Sequence, residues 1–282
     1  MSSDHIDPFE FDYINTKVRE FFKSHGMVEC FEQNKRTILA ACEDPKNVGF
    51  YDCRGTRYPL PQTNQMNLES VILKNPNKAS GYFTYTTSYR FEENPVEGRH
   101  NTIFPMIEFE LHSDMDGLLQ FEKDLLEYLG FGSKGNYKEA DYLDICKKYG
   151  VDELTHEHEQ RLFKDYGAVF FLKNFPESTD PFWNMKRNKD TGLAEKIDCI
   201  ICGQETFGSA NRSCDRYDMN ERFHTISGGE YANLLFSKFG KDRVEEELDE
   251  YLKYNFIERS GCGIGYTRLA RAMRMLGLLP KN

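Results

Sequence analysis

The sequence predicts an α+β fold carrying a largely antiparallel sheet, and three observations lead there. Helix-like and strand-like segments alternate irregularly, without the regular strand–helix–strand repeat of a parallel sheet. Two runs rich in aromatic and β-branched residues, 82–91 and 103–111, pair as a long-looped hairpin near the middle. Hydrophobic residues make up 39% and aromatics 14% of 282 residues, enough for one sizeable core. No internal repeat, low-complexity tract or linker interrupts the chain, so a single domain over residues 1–282 is the shortest account.

The first helix announces itself. Asp7 is an N-cap, Pro8 occupies the first helical position and Glu10 completes a D-x-x-E box. Phe11, Ile14, Val18 and Phe21 or Phe22 then recur at helical spacing until Gly26 supplies a stop. In the hairpin, YFTYTTSYRF leads out and IFPMIEFEL returns, joined by about eleven polar residues. Glu108 and Glu110 fall on one face of the return strand and Ile107, Phe109 and Leu111 on the other. Helical patterns follow at 115–129, 138–148, 156–165, 229–238 and 241–253, with strand-like runs at 168–172 and 197–202. The chain closes with SGCGIGY, a strand or tight turn, running into the helical TRLARAMRMLGLL.

Composition narrows the function classes. A net charge of −10 offers no wide basic footprint for nucleic acid, although a local basic groove can coexist with an acidic whole. The N-terminal MSSDHIDPFEFDY has neither the positive nor the apolar region of a signal peptide. No run approaches the ~18 apolar residues of a membrane span. A soluble, cytoplasmic protein is the expectation. The eight cysteines are scattered, and Cys199 and Cys202, inside the apolar IDCIIC, read as core thiols rather than a zinc or redox pair. THEHEQ lacks the H-E-x-x-H spacing of a zinc protease and reads as a solvated helix start, and VEEELDE as an exposed helix face.

Three segments carry chemistry. The hairpin loop, SYRFEENPVEGRHNTIFPMIEFE, holds Arg90, Arg99, His100, Glu92, Glu93 and Glu97, with Phe104 opening the return strand. Guanidiniums match phosphate oxygens, a carboxylate can accept from an exocyclic amine, and a ring can stack on a base. That is equipment for a bent nucleoside triphosphate; a solvated charged hairpin is the plainer reading. In SGCGIGYTRLARAM, Gly261, Gly263 and Gly265 let backbone approach a ligand, and a helix N-terminus with Arg268 in its first turn follows. Tyr266 stands where a dinucleotide fingerprint would need its third glycine. In IDCIICGQETFGSANR, Asp198 and Glu205 could hold magnesium and Arg212 could clamp a substrate carboxylate.

Taken together, these segments resemble the catalytic core of the class II aminoacyl-tRNA synthetases, in particular the aspartyl/asparaginyl branch. The hairpin resembles motif 2, with its R-x-E, R-H and terminal aromatic, and the glycine–arginine segment resembles motif 3. D-x6-E-x6-R is the branch's metal and substrate segment, and PLPQTNQMNLE at 59–69 is similar to its amino-acid-binding element. The resemblance runs from about residue 10 to 276. It implies ATP and Mg2+ as cofactors. Arg90 would bind the α-phosphate and Glu92 the adenine or ribose side. Arg99 and His100 would hold the β- and γ-phosphates, and Phe104 and Arg268 would sandwich adenine beside Gly265. Asp198 and Glu205 would bind the metal. Gln65, Glu108 and Ser209 would position the amino acid, and Arg212 its side-chain end.

The same resemblance implies a six- or seven-stranded antiparallel sheet with flanking helices, and a homodimer through the first helix and strand. ETFGSANRSCD and the segment from Phe223 to Leu252 look most like truncated, archaeal-type asparagine synthetases related to asparaginyl-tRNA synthetase, which lack the anticodon-binding domain. The activity implied is an AMP-forming aspartate–ammonia ligase working through β-aspartyl-adenylate, with tRNA not expected as a partner. The alternatives are a related amide ligase using another amine or carrier, or a tRNA-synthetase-like paralogue. Two departures bear on the substrate. Leu68 and Glu69 stand where aspartyl enzymes place a lysine, leaving aspartate versus asparagine open, and Ala210 replaces a motif serine that Ser209 supplies one position earlier.

Overall fold

The computed structural model describes residues 6–31, 35–39, 45–91 and 101–280. Helix α1 (Pro8–Ser24) opens as its sequence predicts, with the Asp7 carboxylate accepting from the Phe9 and Glu10 amides at 2.9 and 3.0 Å. Ile14, Val18, Phe21 and Phe22 form its buried stripe, and Gly26 leaves it at a φ of 74°. Then follow β1 (Met27–Glu29), the small hairpin β2 (Phe50–Cys53) and β3 (Thr56–Pro59), and α2 (Gln65–Lys74). The central hairpin is β4 (Gly81–Tyr89) and β5 (Ile103–Leu111). Beyond it come α3 (Met115–Tyr128), β6 (Lys138–Asp141), α4 (Tyr142–Tyr149), α5 (His156–Tyr166), β7 (Val169–Phe175), β8 (Ala194–Ile201) and β9 (Gln204–Asn211). Helices α6 (Arg216–Thr225), α7 (Glu230–Phe239) and α8 (Lys241–Leu252) precede β10 (Ser260–Gly265) and α9 (Tyr266–Met275).

The large sheet has eight strands in the order β1-β4-β5-β10-β9-β8-β7-β6. Its interior pairs are antiparallel, while the outermost pairs, β1 with β4 and β6 with β7, are parallel. This exceeds the six or seven antiparallel strands expected. Part of the surplus is residues 138–141, predicted as helix. Their backbone pairs with Phe170–Lys173 along an open sheet edge, and Asn174 Nδ2 donates to Asp141 Oδ1 at 2.7 Å. Ladder pairing outweighs the helix propensity of Lys138, Glu139 and Ala140, and the helix begins only at Tyr142. β9 and the helices α2 and α6 were not predicted from the sequence.

Strand alternation gives the sheet two unlike faces. Phe83, Ile107, Phe109, Cys262, Ile264, Phe207, Ile197, Cys199, Val169 and Phe171 point one way and pack with α1, α3 and α9 into the larger core. Cys199 and Cys202 are buried free thiols there, as predicted. A second cluster, which includes Trp183, joins α2, α6, α7 and α8 with Tyr82 of β4 and Ala210 of β9. The other sheet face carries Glu108, Glu110, Gly261, Gly263, Gly208 and Asp198. No helix among the described residues is long and apolar enough to cross a membrane.

Candidate active site

A cavity of about 390 Å³ opens on the polar face of the sheet. Residues from five parts of the chain surround it: Gln65, Arg90, Phe104, Glu205, Arg212, Gly265 and Arg268, each selected from the sequence. Arg90 follows β4, and its guanidinium carbon sits 5.6 Å from the centre of the Phe104 ring, inside cation–π range. Arg268, in the first turn of α9, donates from Nη1 to the Glu205 carbonyl at 2.6 Å and lies 4.0 Å from its carboxylate.

The hairpin β8–β9 sets where Asp198 and Glu205 lie, in two adjoining cavities. Cys202 and Gly203 form its two-residue turn with φ of 48° and 78°, the positive pair a type I′ turn requires. Register then shifts: Ile200 faces Glu205, but Cys199 faces Phe207, leaving Thr206 as an extra residue. This bulge turns Phe207 into the core and brings Gly208 opposite Asp198 on the polar face. It also overturns one sequence assignment. Ser209, expected to position substrate, pairs with Ile197 and Cys262 on the opposite face, and its hydroxyl donates to the Ile197 carbonyl at 3.0 Å. Arg212 is carried to the cavity instead.

Asp198 lies slightly apart. It lines an adjoining cavity of about 290 Å³ that shares Thr179, Asp180 and Lys196 with the first. Lys196, two residues earlier on the same strand face, holds Asp198 Oδ2 at 2.7 Å, while Asp198 Oδ1 is buried without a hydrogen-bond partner. Burial pushes the Asp198 carboxyl up to about 7, against the pull of Lys196 and with the charge of Glu205 adding to the rise. Among the described residues no group of three acidic, histidine or cysteine side chains is arranged to hold a metal. A pair of carboxylates, one with an unmatched buried oxygen, fits a magnesium ion that takes its remaining ligands from phosphate and water.

Glu108 is wholly buried beneath the cavity floor, where it accepts from the Thr63 hydroxyl and from the Asn64 amide at 2.9 and 3.0 Å. Thr63 and Gln65 line the cavity above it. Gln65 Nε2 donates to Glu110, whose other oxygen is 3.4 Å from Arg212 Nε. Glu92, Arg99 and His100, assigned to the nucleotide from the sequence, lie outside the described residues. Sequence reasoning did not select Lys196, Glu110, Glu69 or Arg259. The alternation that marked Glu108 also marked Glu110, and Lys196 stands in register with Asp198; Glu69 was marked only as a departure from the lysine of aspartyl enzymes, and Arg259 gave no local signal.

Residues 12–277 match the sequence family described as tRNA synthetases class II (D, K and N). An aspartate–tRNA(Asp) ligase of Pyrobaculum aerophilum is 33% identical over 128 residues, covering 45% of this chain and 26% of the relative. A lysine–tRNA ligase of Christiangramia forsetii is 22% identical over 300 residues, covering 89% and 50%. The chain therefore spans about a quarter to a half of these relatives' length. Among solved structures, asparaginyl-tRNA synthetase from Pyrococcus horikoshii complexed with asparaginyl-adenylate superposes with a TM-score of 0.76 at 21% identity, covering 95% of this chain and 64% of that one. The Entamoeba histolytica asparaginyl-tRNA synthetase gives 0.73 at 18% identity, covering 95% and 63%. At these identities the likeness establishes the fold.

Proposed function

The chain belongs to the class II tRNA synthetase family of the D, K and N group, and from that premise we propose that its cavity activates an amino-acid carboxylate as an acyl-adenylate. One observation carries this reading: Arg90, Glu205, Arg268, Gln65 and Arg212, far apart in sequence, surround one cavity. The substrate carboxylate attacks the α-phosphorus of ATP. A carboxylate–phosphorus bond forms, the bond to the β-phosphate oxygen breaks, and pyrophosphate leaves. An acceptor then attacks the acyl carbon and AMP departs. Charge builds on the α-phosphate in the first step, and guanidiniums held in place beforehand stabilise it without reorganising. Arg90 fills that role, Phe104 and Arg268 sandwich the base beside Gly265 with Arg268 also reaching the γ-phosphate, and Gln65 with Arg212 hold the amino acid.

Magnesium, bound by Asp198 and Glu205, would neutralise phosphate charge. Lys196 keeps Asp198 oriented toward the cavity side of the strand. For the acceptor we propose ammonia, giving asparagine and AMP from aspartate, on the sequence likeness to truncated asparagine synthetases and the chain's net charge of −10. A second reading, transfer to tRNA, is favoured by the aspartate and lysine tRNA ligases among the relatives. We further propose a homodimer through α1 and β1. Val28 on the edge strand and Phe9 on α1 are exposed apolar residues there.

ATP–pyrophosphate exchange, run with aspartate, asparagine and lysine in turn, tests activation. Arg90→Ala abolishes it while leaving thermal unfolding unchanged; unaltered exchange in that variant refutes the site. Ammonium or tRNA added to an exchange-competent reaction, with asparagine and aminoacyl-tRNA as readouts, then identifies the acceptor.

A further inference from the structure

Each of the two carboxylates that would hold magnesium already faces a cation of the chain. Glu205 lies 4.0 Å from Arg268 Nη1, and Asp198 Oδ2 is held by Lys196 Nζ at 2.7 Å. Arg268 carries a nucleotide role in the reading above; Lys196 so far has none beyond orienting Asp198. Yet Lys196 lines both the catalytic cavity and the adjoining one, and its side chain is 15% exposed. Its ammonium lies 4.1 Å from the centre of the Phe175 ring, a wall of the adjoining cavity that Glu153, Glu159 and Asp180 also line.

Strand register places Lys196 along the length of the site. On β8, Asp198 stands opposite Gly208 and Lys196 opposite Ala210, so Lys196 is one step nearer to Arg212. Glu205 and Arg268 belong to the nucleotide end of the cavity, and Gln65 and Arg212 to the amino-acid end. The α-phosphorus that the amino-acid carboxylate attacks sits between those ends. Lys196 borders that span.

A divalent cation taken up by Asp198 competes with this ammonium for one buried carboxylate. A mostly buried lysine left without an anion is costly, so the exchange requires a new partner for Lys196. Phosphate oxygen is such a partner, and the flexible four-carbon stem of lysine permits the move.

Resting on the amino-acid-activating reading above, we propose that Lys196 is a further phosphate-binding residue that works by exchanging partners. It holds Asp198 until magnesium and ATP arrive together, then releases Asp198 to the metal and takes an α-phosphate oxygen. Metal and nucleotide are thereby coupled through one side chain. Metal alone leaves Lys196 stranded, and nucleotide alone meets a lysine that is already paired.

Equilibrium binding tests this, by isothermal titration calorimetry with α,β-methylene-ATP in EDTA and in saturating Mg2+, and with Mn2+ alone. In the wild type, Mg2+ strengthens nucleotide binding. Lys196→Met changes affinity in EDTA by less than about threefold but lowers it in Mg2+ on the order of tenfold, and it binds Mn2+ alone on the order of tenfold more tightly. Lys196→Gln, which keeps a hydrogen-bond donor for Asp198, gives the same pattern and covers any loss of folding in Lys196→Met. Lys196→Arg keeps the charge and retains the gain from Mg2+. An equal loss in EDTA and Mg2+, no loss in Mg2+, or Mn2+ binding no tighter in the neutral variants overturns the exchange while leaving amino-acid activation standing. So does wild-type nucleotide binding that Mg2+ fails to improve. A wild type that binds α,β-methylene-ATP in neither condition overturns the activation reading and this proposal with it.

Discussion

The three glycines of β10 give the site its most discriminating test, because an added methyl group meets different surroundings at each. At Gly261 the new Cβ falls 2.5 Å from Gln65 Nε2 and 2.6 Å from the Phe109 carbonyl, and collides with the Glu110 carboxylate. One of those atoms is neighbouring backbone and cannot withdraw. Overpacking costs about 1–3 kcal/mol, and a broken Gln65–Glu110 hydrogen bond inside a buried site costs about 1–3 kcal/mol more. The lower backbone entropy of alanine returns about 0.5–1 kcal/mol. The net loss for Gly261→Ala is roughly 1–5 kcal/mol. At Gly263 the nearest atom is the Met106 methyl at 2.8 Å, the far end of a flexible side chain, so Gly263→Ala costs under about 1 kcal/mol. At Gly265 nothing lies closer than 3.7 Å, and alanine changes stability by less than about 0.5 kcal/mol. Because Gly265 lines the cavity, the same substitution raises KM for ATP. Urea unfolding at constant m gives the stability order, and exchange kinetics give KM. A Gly261→Ala chain as stable as wild type, or an inverted order among the three, refutes the packing argument.

Three other predictions are independent of it. Arg259→Met removes both guanidinium hydrogen bonds to buried Glu69, leaving Arg212 at 3.8 Å as its nearest cation, and lowers stability by about 3–5 kcal/mol, whereas adding Glu69→Gln recovers much of the loss; equal losses in the single and double variants by urea unfolding would contradict the pairing. Glu122 on α3 is fully buried beside Ser209 and Cys262, and burial pushes it up to about 8 from an ordinary value of 4.5, so the folded state holds its proton longer than the unfolded one. Its stabilising contribution is complete below pH 4.5 and is lost as pH rises to about 8, so Glu122→Gln gains over wild type at pH 8 but not near pH 4, as read from urea midpoints. Val28→Glu puts a charge on edge strand β1 at a position 43% exposed, so the proposed dimer dissociates in size-exclusion chromatography without loss of far-UV circular dichroism; an unchanged dimer places the interface elsewhere.

The fold and site were legible where one residue type carried the information locally. Asp7 and Pro8 fix the start of α1, while the Glu10 carboxylate accepts from Arg274 rather than closing a capping box, and the spacing of Gly261, Gly263 and Gly265 marks a strand that others must approach closely. Alternation in IFPMIEFEL separated Ile107, Phe109 and Leu111 from Glu108 and Glu110 correctly, but it carries no sign that both glutamates are fully buried. Their cover comes from Thr63, Asn64, Gln65 and Arg212, distant in sequence. The error at Ser209 has a geometric cause. Ser209 is assigned from the resemblance, as a motif serine displaced by one position, and the bulge at Thr206 sets the strand's alternation so that residues 208 and 212 reach the polar face while residue 209 faces the core. A bulge is set by tertiary register, which a local pattern does not encode.

The buried cluster also shows how the two faces of the sheet divide their work. Gathering Glu69, Glu110, Arg212 and Arg259 away from water costs several kcal/mol per ion, and a buried pair of this kind is often no more stabilising than apolar residues of equal volume. Stability must come from elsewhere. The face behind the site supplies it, where Phe83, Phe109, Phe171, Phe207 and Ile264 pack against α1, α3 and α9. Since Phe109 and Ile264 share strands with Glu110, Gly263 and Gly265, the apolar face also fixes the position of every strand the polar face depends on. Precision at Glu110 is thus inherited from Phe109 and Leu111, packed one residue away on the opposite side of the same backbone. A cavity introduced at Phe109 displaces the site through β5, whereas one at Trp183, in the second cluster, acts on α2 and its Gln65 and Glu69 instead.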